Sequence, residues 1–150
     1  MKFRICTVLL LLAAVFDTNA SEQDEIVTVV EHYIESQHVG SSSRMESALH
    51  HKLAKRTYWE DREGKEFIME SSFKSMQGVA EHYNSKGDKF PKHPRVDIEI
   101  FDIDDRVASV KLSTDDWIDY MHLLKTDQDE WKIINVLWQY HETGKHRVKK

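Results

Sequence analysis

The chain has 150 residues, which is enough for one domain and too few for two domains of ordinary size. Apolar residues make up 40% of the sequence and charged residues 31%, the balance of a soluble globular domain with one modest core. The formal net charge of −5 is spread along the chain, so no basic face predicts nucleic-acid binding. Only residues 142–150 form a basic stretch, and a short basic end of this kind is typical of a solvated tail.

The first twenty residues have the layout of a secretory signal peptide. Lys2 and Arg4 precede an apolar run over residues 5–16, which is too short to span a bilayer as a stable helix. Ala20 then supplies the small residue that a signal peptidase prefers. Cleavage there would remove the single cysteine, Cys6, and leave no disulfide. We therefore predict an exported protein, periplasmic or secreted, without membrane association after cleavage; the alternative is an N-terminal helix that stays in the fold.

Two helices are predicted next. In residues 21–40, apolar side chains recur at three- and four-residue steps and acidic residues fill the first turn. Gly40 is a plausible end of this helix. Ser43 and Glu46 have the spacing of a capping box, which predicts a short second helix ending near His50.

A β-hairpin and a third helix follow. Residues 52–59 and 65–70 are two short polar arms around a turn that contains Gly64. Ser71 and Ser72 are candidate N-caps for a helix that Gly87 can end, and a loop with two prolines covers residues 86–94.

The second half of the chain predicts a sheet. Residues 95–102, 106–113, 117–126 and 130–141 are rich in β-branched and aromatic residues and are separated by Asp-rich breaks. The order helix, helix, hairpin, helix and four consecutive strands is α+β, not the β-α alternation of a parallel sheet. We assign one domain to residues 21–141.

The pairing of the last two strands decides which side chains share a face. A loop of two or four residues places His122 opposite Asn135, Tyr120 opposite Leu137 and Leu124 opposite Ile133. A three-residue loop would shift the pairing by one. In the first register Tyr120, His122 and Asn135 form a polar island on an apolar face, which is either a hydrogen-bonded core cluster or the floor of a pocket.

Several short motifs resemble one family when they are taken in chain order. They are HYIE at 32–35, ALH at 48–50, RVA at 106–108, DY at 119–120, LLK at 123–125, WKIIN at 131–135, and Trp138. Together they resemble the putative lumazine-binding family of the nuclear transport factor 2-like superfamily over residues 24–140. Residues 127–130 (DQDE) depart from the pattern, because the family usually has a tight turn with Gly there.

The resemblance implies a cone-shaped fold, in which a curved antiparallel sheet wraps around helices and leaves a pocket at the open end. It also implies a homodimer formed through the outer face of the sheet. The superfamily includes isomerases, dehydratases, cyclases and binding modules, so the fold alone does not define a reaction.

We therefore predict a pocket for a small molecule, with no cofactor and no metal site. The predicted ligand-binding residues are Tyr33, His50, Tyr58, Tyr120, His122 and Asn135. One alternative is an isomerase or dehydratase that uses His122 as a general base. Another is a dimeric interaction module whose interior is filled by Trp and Phe side chains.

Overall fold

The computed structural model describes residues 18–148, and side chains from residue 22 onward. The predicted signal peptide therefore lies outside the described residues except for its last three positions, and so do residues 149–150. The elements in chain order are α1 (Thr18–Val39), α2 (Ser42–Ala48), β1 (Leu49–Glu60), β2 (Glu66–Ser72), α3 (Phe73–His82), β3 (Asp97–Asp104), β4 (Val107–Ser113), β5 (Trp117–Lys125), β6 (Trp131–Tyr140) and a 3-10 helix (Thr143–Lys145). No helix in this part of the chain is both long enough and apolar enough to cross a bilayer.

The fold is α+β, as predicted, with helices packed on one face of a curved six-stranded sheet in the order β2-β1-β6-β5-β4-β3. Strands β3 to β6 form the predicted antiparallel meander. The sequence did not predict that β1 pairs in parallel with β6, which joins the hairpin to the meander in one sheet. The core lies between the helices and the inner face of this sheet.

Local capping explains two of the helix boundaries. Ser72 caps α3 in a capping box in which the Ser75 side chain reciprocates, so the predicted N-cap is correct. Helix α2 is capped by Ser41 and ends at Ala48, two residues earlier than predicted. His50 consequently lies in β1, because the extended backbone begins at Leu49.

The register of the last hairpin is confirmed in its middle and wrong near its turn. His122 pairs with Asn135 and Tyr120 with Leu137, as predicted, but Leu124 pairs with Lys132. A β-bulge lies between these two regions and shifts the pairing by one residue, so that His122 pairs with Asn135 and Leu123 with Ile133. The loop is longer than assumed, and Asp129 supplies the positive φ of 64° for which the family uses Gly.

This register determines the two faces of β5. Trp117, Asp119, Met121 and Leu123 alternate as buried residues on the inner face. Tyr120 and His122, by contrast, point outward and are exposed. The prediction that His122 lies at the base of the hollow is therefore wrong, because its strand parity directs it away from the helices.

Candidate functional site

A small cavity of about 170 Å³ lies between the helices and the inner face of the sheet. Helices α1 and α3 form one side and strands β1, β2, β5 and β6 form the other. Its walls are mainly aromatic and apolar, with a few polar groups: Tyr33, Gln37, Lys55, Met69, Ser71, Met76, Val79, Tyr83, Trp117, Trp138 and Tyr140. An apolar lining with a few convergent polar groups is typical of a small-molecule site. We call this space the inner cavity.

A buried ion pair forms part of the cavity wall. The Lys55 ammonium on β1 contacts the Asp119 carboxylate on β5, and their side chains are 8% and 0% exposed. Strand β6 lies between these two strands, so the pair spans three strands on the inner face. Such a pair is stable only when further hydrogen bonds satisfy both charges.

Those further hydrogen bonds come from two aromatic side chains. Trp117 Nε1 donates to Asp119 Oδ2 over 2.8 Å, and Tyr33 Oη approaches the same oxygen at 3.4 Å. Lys55 Nζ also donates to Tyr33 Oη over 2.9 Å. Both carboxylate oxygens of Asp119 are thus occupied by donors, and helix α1 is joined to the sheet through Tyr33.

Burial shifts the pKa of the two other ionisable groups in this cluster. Desolvation lowers the pKa of Lys55, although the Asp119 charge and hydrogen bond oppose this shift. Desolvation raises the pKa of Tyr33 well above its usual value, and the Asp119 charge adds to the effect. Tyr33 is therefore a neutral hydrogen-bonding group at physiological pH.

Two donors in the cavity wall have unused hydrogen-bonding capacity. The Lys55 ammonium has three N–H groups, of which Asp119 and Tyr33 take two. Its Nζ lies 4.8 Å from the centre of the Trp138 ring, which stabilises the charge without accepting a conventional hydrogen bond. Gln37 Nε2 is buried and has no hydrogen-bond partner within residues 18–148. Buried donors of this kind require an acceptor.

A larger open groove of about 990 Å³ borders the inner cavity. Tyr83 and Tyr140 line both spaces, so the groove adjoins the cavity at these two side chains. The opposite wall of the groove includes Gly144, Lys145 and Arg147 of the C-terminal segment. That segment is therefore part of the site's surroundings, not a solvated tail.

His146 fixes the C-terminal segment in place. Its side chain is only 2% exposed and lies among Tyr58, Trp59, Trp138 and Tyr140. The Tyr140 backbone N–H donates to His146 Nε2 over 2.7 Å, and Nδ1 lies 3.1 Å from the Tyr58 carbonyl oxygen. Because Nε2 accepts, the proton of the neutral ring is on Nδ1. Burial lowers the pKa of His146, and the hydrogen bond to Tyr58 opposes this shift.

Of the six predicted site residues, only Tyr33 lines the inner cavity. Tyr120, His122 and Asn135 lie together on the outer face of the sheet, with 3.0 Å between His122 Nδ1 and Asn135 Nδ2. The island exists as predicted, but on the opposite side from the helices.

The two remaining predicted residues also lie elsewhere. Tyr58 stacks on His146 with a centroid distance of 4.4 Å and takes no part in the cavity wall. His50 is half-buried near the start of β1, where its ring packs against His51 and its Nδ1 accepts the Lys52 backbone N–H. Within residues 18–148, no three His, Cys, Asp or Glu side chains are grouped so that they could hold a metal ion.

Sequence reasoning missed Gln37, Lys55 and Asp119 as site residues. A signal for Asp119 was present, because it alternates with Trp117 and Met121 and so occupies a position that must face the core. Lys55 similarly lies between Leu53 and Thr57, which are both buried. In each of these two strands, one charged residue stands among the residues that face the core, and these two charged residues mark the site.

Comparison with known proteins supports this fold. The profile described as putative lumazine-binding matches residues 21–139. Among solved structures, a nuclear transport factor 2-like protein of unknown function from Shewanella baltica is 22% identical, with a TM-score of 0.63 over 84% of this chain and 98% of the other. A similar protein from Silicibacter pomeroyi is 14% identical, with a TM-score of 0.63 over 82% of this chain and 98% of the other.

A putative scytalone dehydratase from Novosphingobium aromaticivorans has the same fold at lower similarity. It is 14% identical, with a TM-score of 0.53 over 83% of this chain and 87% of the other. The comparison with curated proteins found no match.

Proposed function

Because the chain belongs to the putative lumazine-binding family, we propose that it binds a small ring compound in the inner cavity through an acceptor oxygen of the ligand. One observation carries this proposal: within residues 18–148, one N–H of Lys55 and the Nε2 of Gln37 have no acceptor, and both side chains line the same aromatic-walled space. A carboxylate, phenolate or carbonyl oxygen would satisfy both donors, and aromatic walls favour a flat ring.

The cavity volume limits the ligand. A cavity of about 150 Å³ is known to hold one benzene molecule, and the inner cavity measures about 170 Å³. A single six-membered ring with one small polar substituent therefore fits the inner cavity. A larger ligand would extend past Tyr83 and Tyr140 into the open groove.

The binding test uses benzoate as the probe and compares it with toluene, which has the ring but no acceptor. We expect benzoate to raise the melting temperature and toluene to have little effect. Gln37→Leu should weaken benzoate binding by roughly twofold to tenfold, the effect of one hydrogen bond. Gln23→Leu, an exposed position on the same helix, is the matched control and should bind normally. Equal binding by both variants would contradict the proposed site.

The two alternative functions have less support. An isomerase or dehydratase with His122 as the base would need that ring at the substrate, yet the ring is on the outer face. Asp119, the one carboxylate in the cluster among the described residues, is paired with Lys55 and accepts from Trp117 and Tyr33. The hypothesis of an interaction module predicted an interior filled by Trp and Phe side chains, whereas Trp117 and Trp138 line the inner cavity.

We also propose that the protein is exported and that residues 1–20 are removed. The proposal is supported by the positive start, the apolar run and Ala20. Among the side chains described from residue 22 onward, the first buried residue of α1 is Ile26, which cleavage after Ala20 keeps. The mass of the protein recovered outside the cytoplasm should correspond to a chain starting at Ser21, and recovery of only the full-length chain would contradict export.

Finally, we propose that a second copy of the chain covers the outer face of the sheet. Leu137, Tyr120 and Phe101 are 59%, 46% and 51% exposed there, and the last two rings stack at 6.3 Å. An exposed apolar patch is typical of an interaction surface. A homodimer would bury these side chains through one self-complementary face.

A further inference from the structure

Lys55 differs from every other lysine in the part of the chain that the structure describes. It is the one buried lysine there, at 7% exposure, and its side chain ends in a cavity instead of in solvent. Tyr33 and Asp119 are the acceptors of its Nζ within residues 18–148, which leaves one N–H for a bound molecule. A primary amine in this position can act as a nucleophile as well as a donor.

The groups around Lys55 can move the protons that such chemistry requires. Asp119 contacts the ammonium directly and can take its proton, which gives a neutral amine beside a neutral acid. Burial lowers the pKa of Lys55, which favours its neutral amine form. Tyr33 Oη, 2.9 Å from Nζ, lies where it can pass a proton to an oxygen formed beside the amine.

We propose that Lys55 forms an imine with a small aromatic aldehyde bound in the inner cavity, an inference that rests on the proposed ligand-binding function. Lys55 gives one proton to Asp119, and the amine attacks the carbonyl carbon to form the C–N bond. A second proton moves from nitrogen to the former carbonyl oxygen. The resulting hydroxyl takes the proton held by Asp119 and leaves as water.

The product is a protonated imine beside the Asp119 carboxylate. No oxidant or reductant is consumed, and the positive charge on the Lys55 nitrogen is the same before and after the step. The site therefore keeps its ion pair, with the iminium in place of the ammonium. The Trp138 ring, which lies under the ammonium, can stabilise the iminium in the same way.

The aromatic lining and the size of the cavity select the aldehyde. Trp117, Trp138, Lys55 and Gln37 all line this cavity, so an aromatic aldehyde bound there can present its carbonyl to Lys55, and Gln37 can serve as a second donor. That amide would polarise the carbonyl and would hold the aldehyde in place before the attack. Long aliphatic aldehydes lack the flat ring that these walls favour.

The experiment treats the purified protein with limiting benzaldehyde and sodium cyanoborohydride, which reduces an imine to a stable secondary amine. Intact mass and peptide mapping then locate the adduct. We expect one adduct at Lys55 and expect excess benzoate to suppress it. Lys55→Met should lose this adduct, whereas Lys52→Met, an exposed position on the same strand, should keep it.

The readout does not depend on the folding of a variant, because peptide mapping and benzoate protection use the unaltered protein. One contradictory result is that exposed lysines carry adducts and Lys55 does not, although benzoate still raises the melting temperature. That result would overturn the proposed imine and would leave the binding function intact. If benzoate also fails to bind, both proposals are wrong. Modification of Lys55 that benzoate suppresses supports both.

Discussion

At the scale of single residues, Asp119 holds the interior together. It receives hydrogen bonds from Lys55 on β1, Trp117 on β5 and Tyr33 on α1. These donors come from a helix and two strands that are far apart in the sequence. A single carboxylate therefore fixes the position of α1 over the sheet and holds the Lys55 amine at the cavity wall.

Removing the charge of Asp119 should destabilise the protein strongly. Asp119→Asn leaves the Lys55 ammonium buried without a counterion, and breaking a buried pair in this way costs about 3–5 kcal/mol. We expect a loss of that size in the free energy of unfolding, measured by urea denaturation. Glu99→Gln, which removes an exposed partner of Lys111, is the control and should cost less than about 1 kcal/mol.

The double variant Asp119→Asn/Lys55→Met separates the charge from the packing. Replacing both members of a buried pair is often close to neutral, so this variant should recover most of the lost stability. If the double variant is as unstable as Asp119→Asn, then the unpaired ammonium is not the cause of the loss.

The candidate site was only partly predictable at this scale. Tyr33 was identified because an aromatic residue in the apolar stripe of a helix must face the core. Tyr120, His122 and Asn135 were assigned to the correct common face, but that face is the outer one. Local pairing fixes which residues share a face, while the position of the helices decides which face is inside.

At the scale of elements, the C-terminal segment is joined to the end of β1 by an isolated β-bridge. Beyond the 3-10 helix, Arg147 forms a parallel bridge with Glu60. The Glu60 backbone N–H donates to the His146 carbonyl oxygen, and the Val148 backbone N–H donates to the Glu60 carbonyl oxygen. His146 anchors this segment among aromatic rings at the ends of β1 and β6. The composition of residues 142–150 predicted a solvated tail, because most of these residues are polar or charged. The aromatic contacts that hold the segment come from one residue, His146, which composition does not single out.

Acid should weaken the anchoring of this segment. Burial lowers the pKa of His146 in the folded chain, whereas in the unfolded chain the same imidazole has its ordinary pKa of about 6.5. The unfolded state therefore binds more protons as the pH falls below that value, and folding stability falls with it. Above about pH 6.5 the full contribution of His146 to folding stability is present.

A variant that cannot titrate should show a smaller loss of stability in acid. His146→Gln keeps an acceptor for the Tyr140 N–H, so we expect a weaker dependence of the free energy of unfolding on pH between 7 and 5, with a difference of at most about 1.4 kcal/mol per pH unit. The lowered pKa values of His38 and His50 contribute equally to both proteins. His82→Gln, at an exposed site, should match the unaltered protein, and identical slopes for all three would contradict the assignment.

The elements themselves were largely predictable from the sequence. Within residues 18–148, the three α-helices and six strands were anticipated, because alternation and helical spacing are local signals, whereas the 3-10 helix was not. The parallel pairing of β1 with β6 was not, since it joins Ala54 to Asn135 across most of the chain. The bulge near Leu123 was not predicted either. The longer loop shifts the pairing by one residue and the bulge shifts it back, so the middle of the hairpin keeps the predicted register.

At the scale of the whole molecule, helices cover one face of the sheet, and no helix of residues 18–148 covers the other. Val107 and Ile68 extend the exposed apolar surface around Leu137 and Tyr120 toward both edges of the sheet. Charged pairs such as Arg56 with Glu70 lie among them. A face with this mixture resembles the surface of a protein interface, in which apolar side chains are bordered by polar ones.

A charge at the centre of this face should separate the subunits. Leu137 lies on β6, near the middle of the sheet, and Leu137→Glu would bury an unpaired carboxylate in any interface formed there. We expect the dissociation constant of the dimer to rise at least about tenfold, which corresponds to about 1.4 kcal/mol, as measured by sedimentation velocity over a dilution series. Val39→Glu changes an equally exposed apolar residue at the end of α1, away from the sheet, and should leave the dimer intact. A monomeric unaltered protein, or equal weakening by both variants, would mean that the outer face is not the interface.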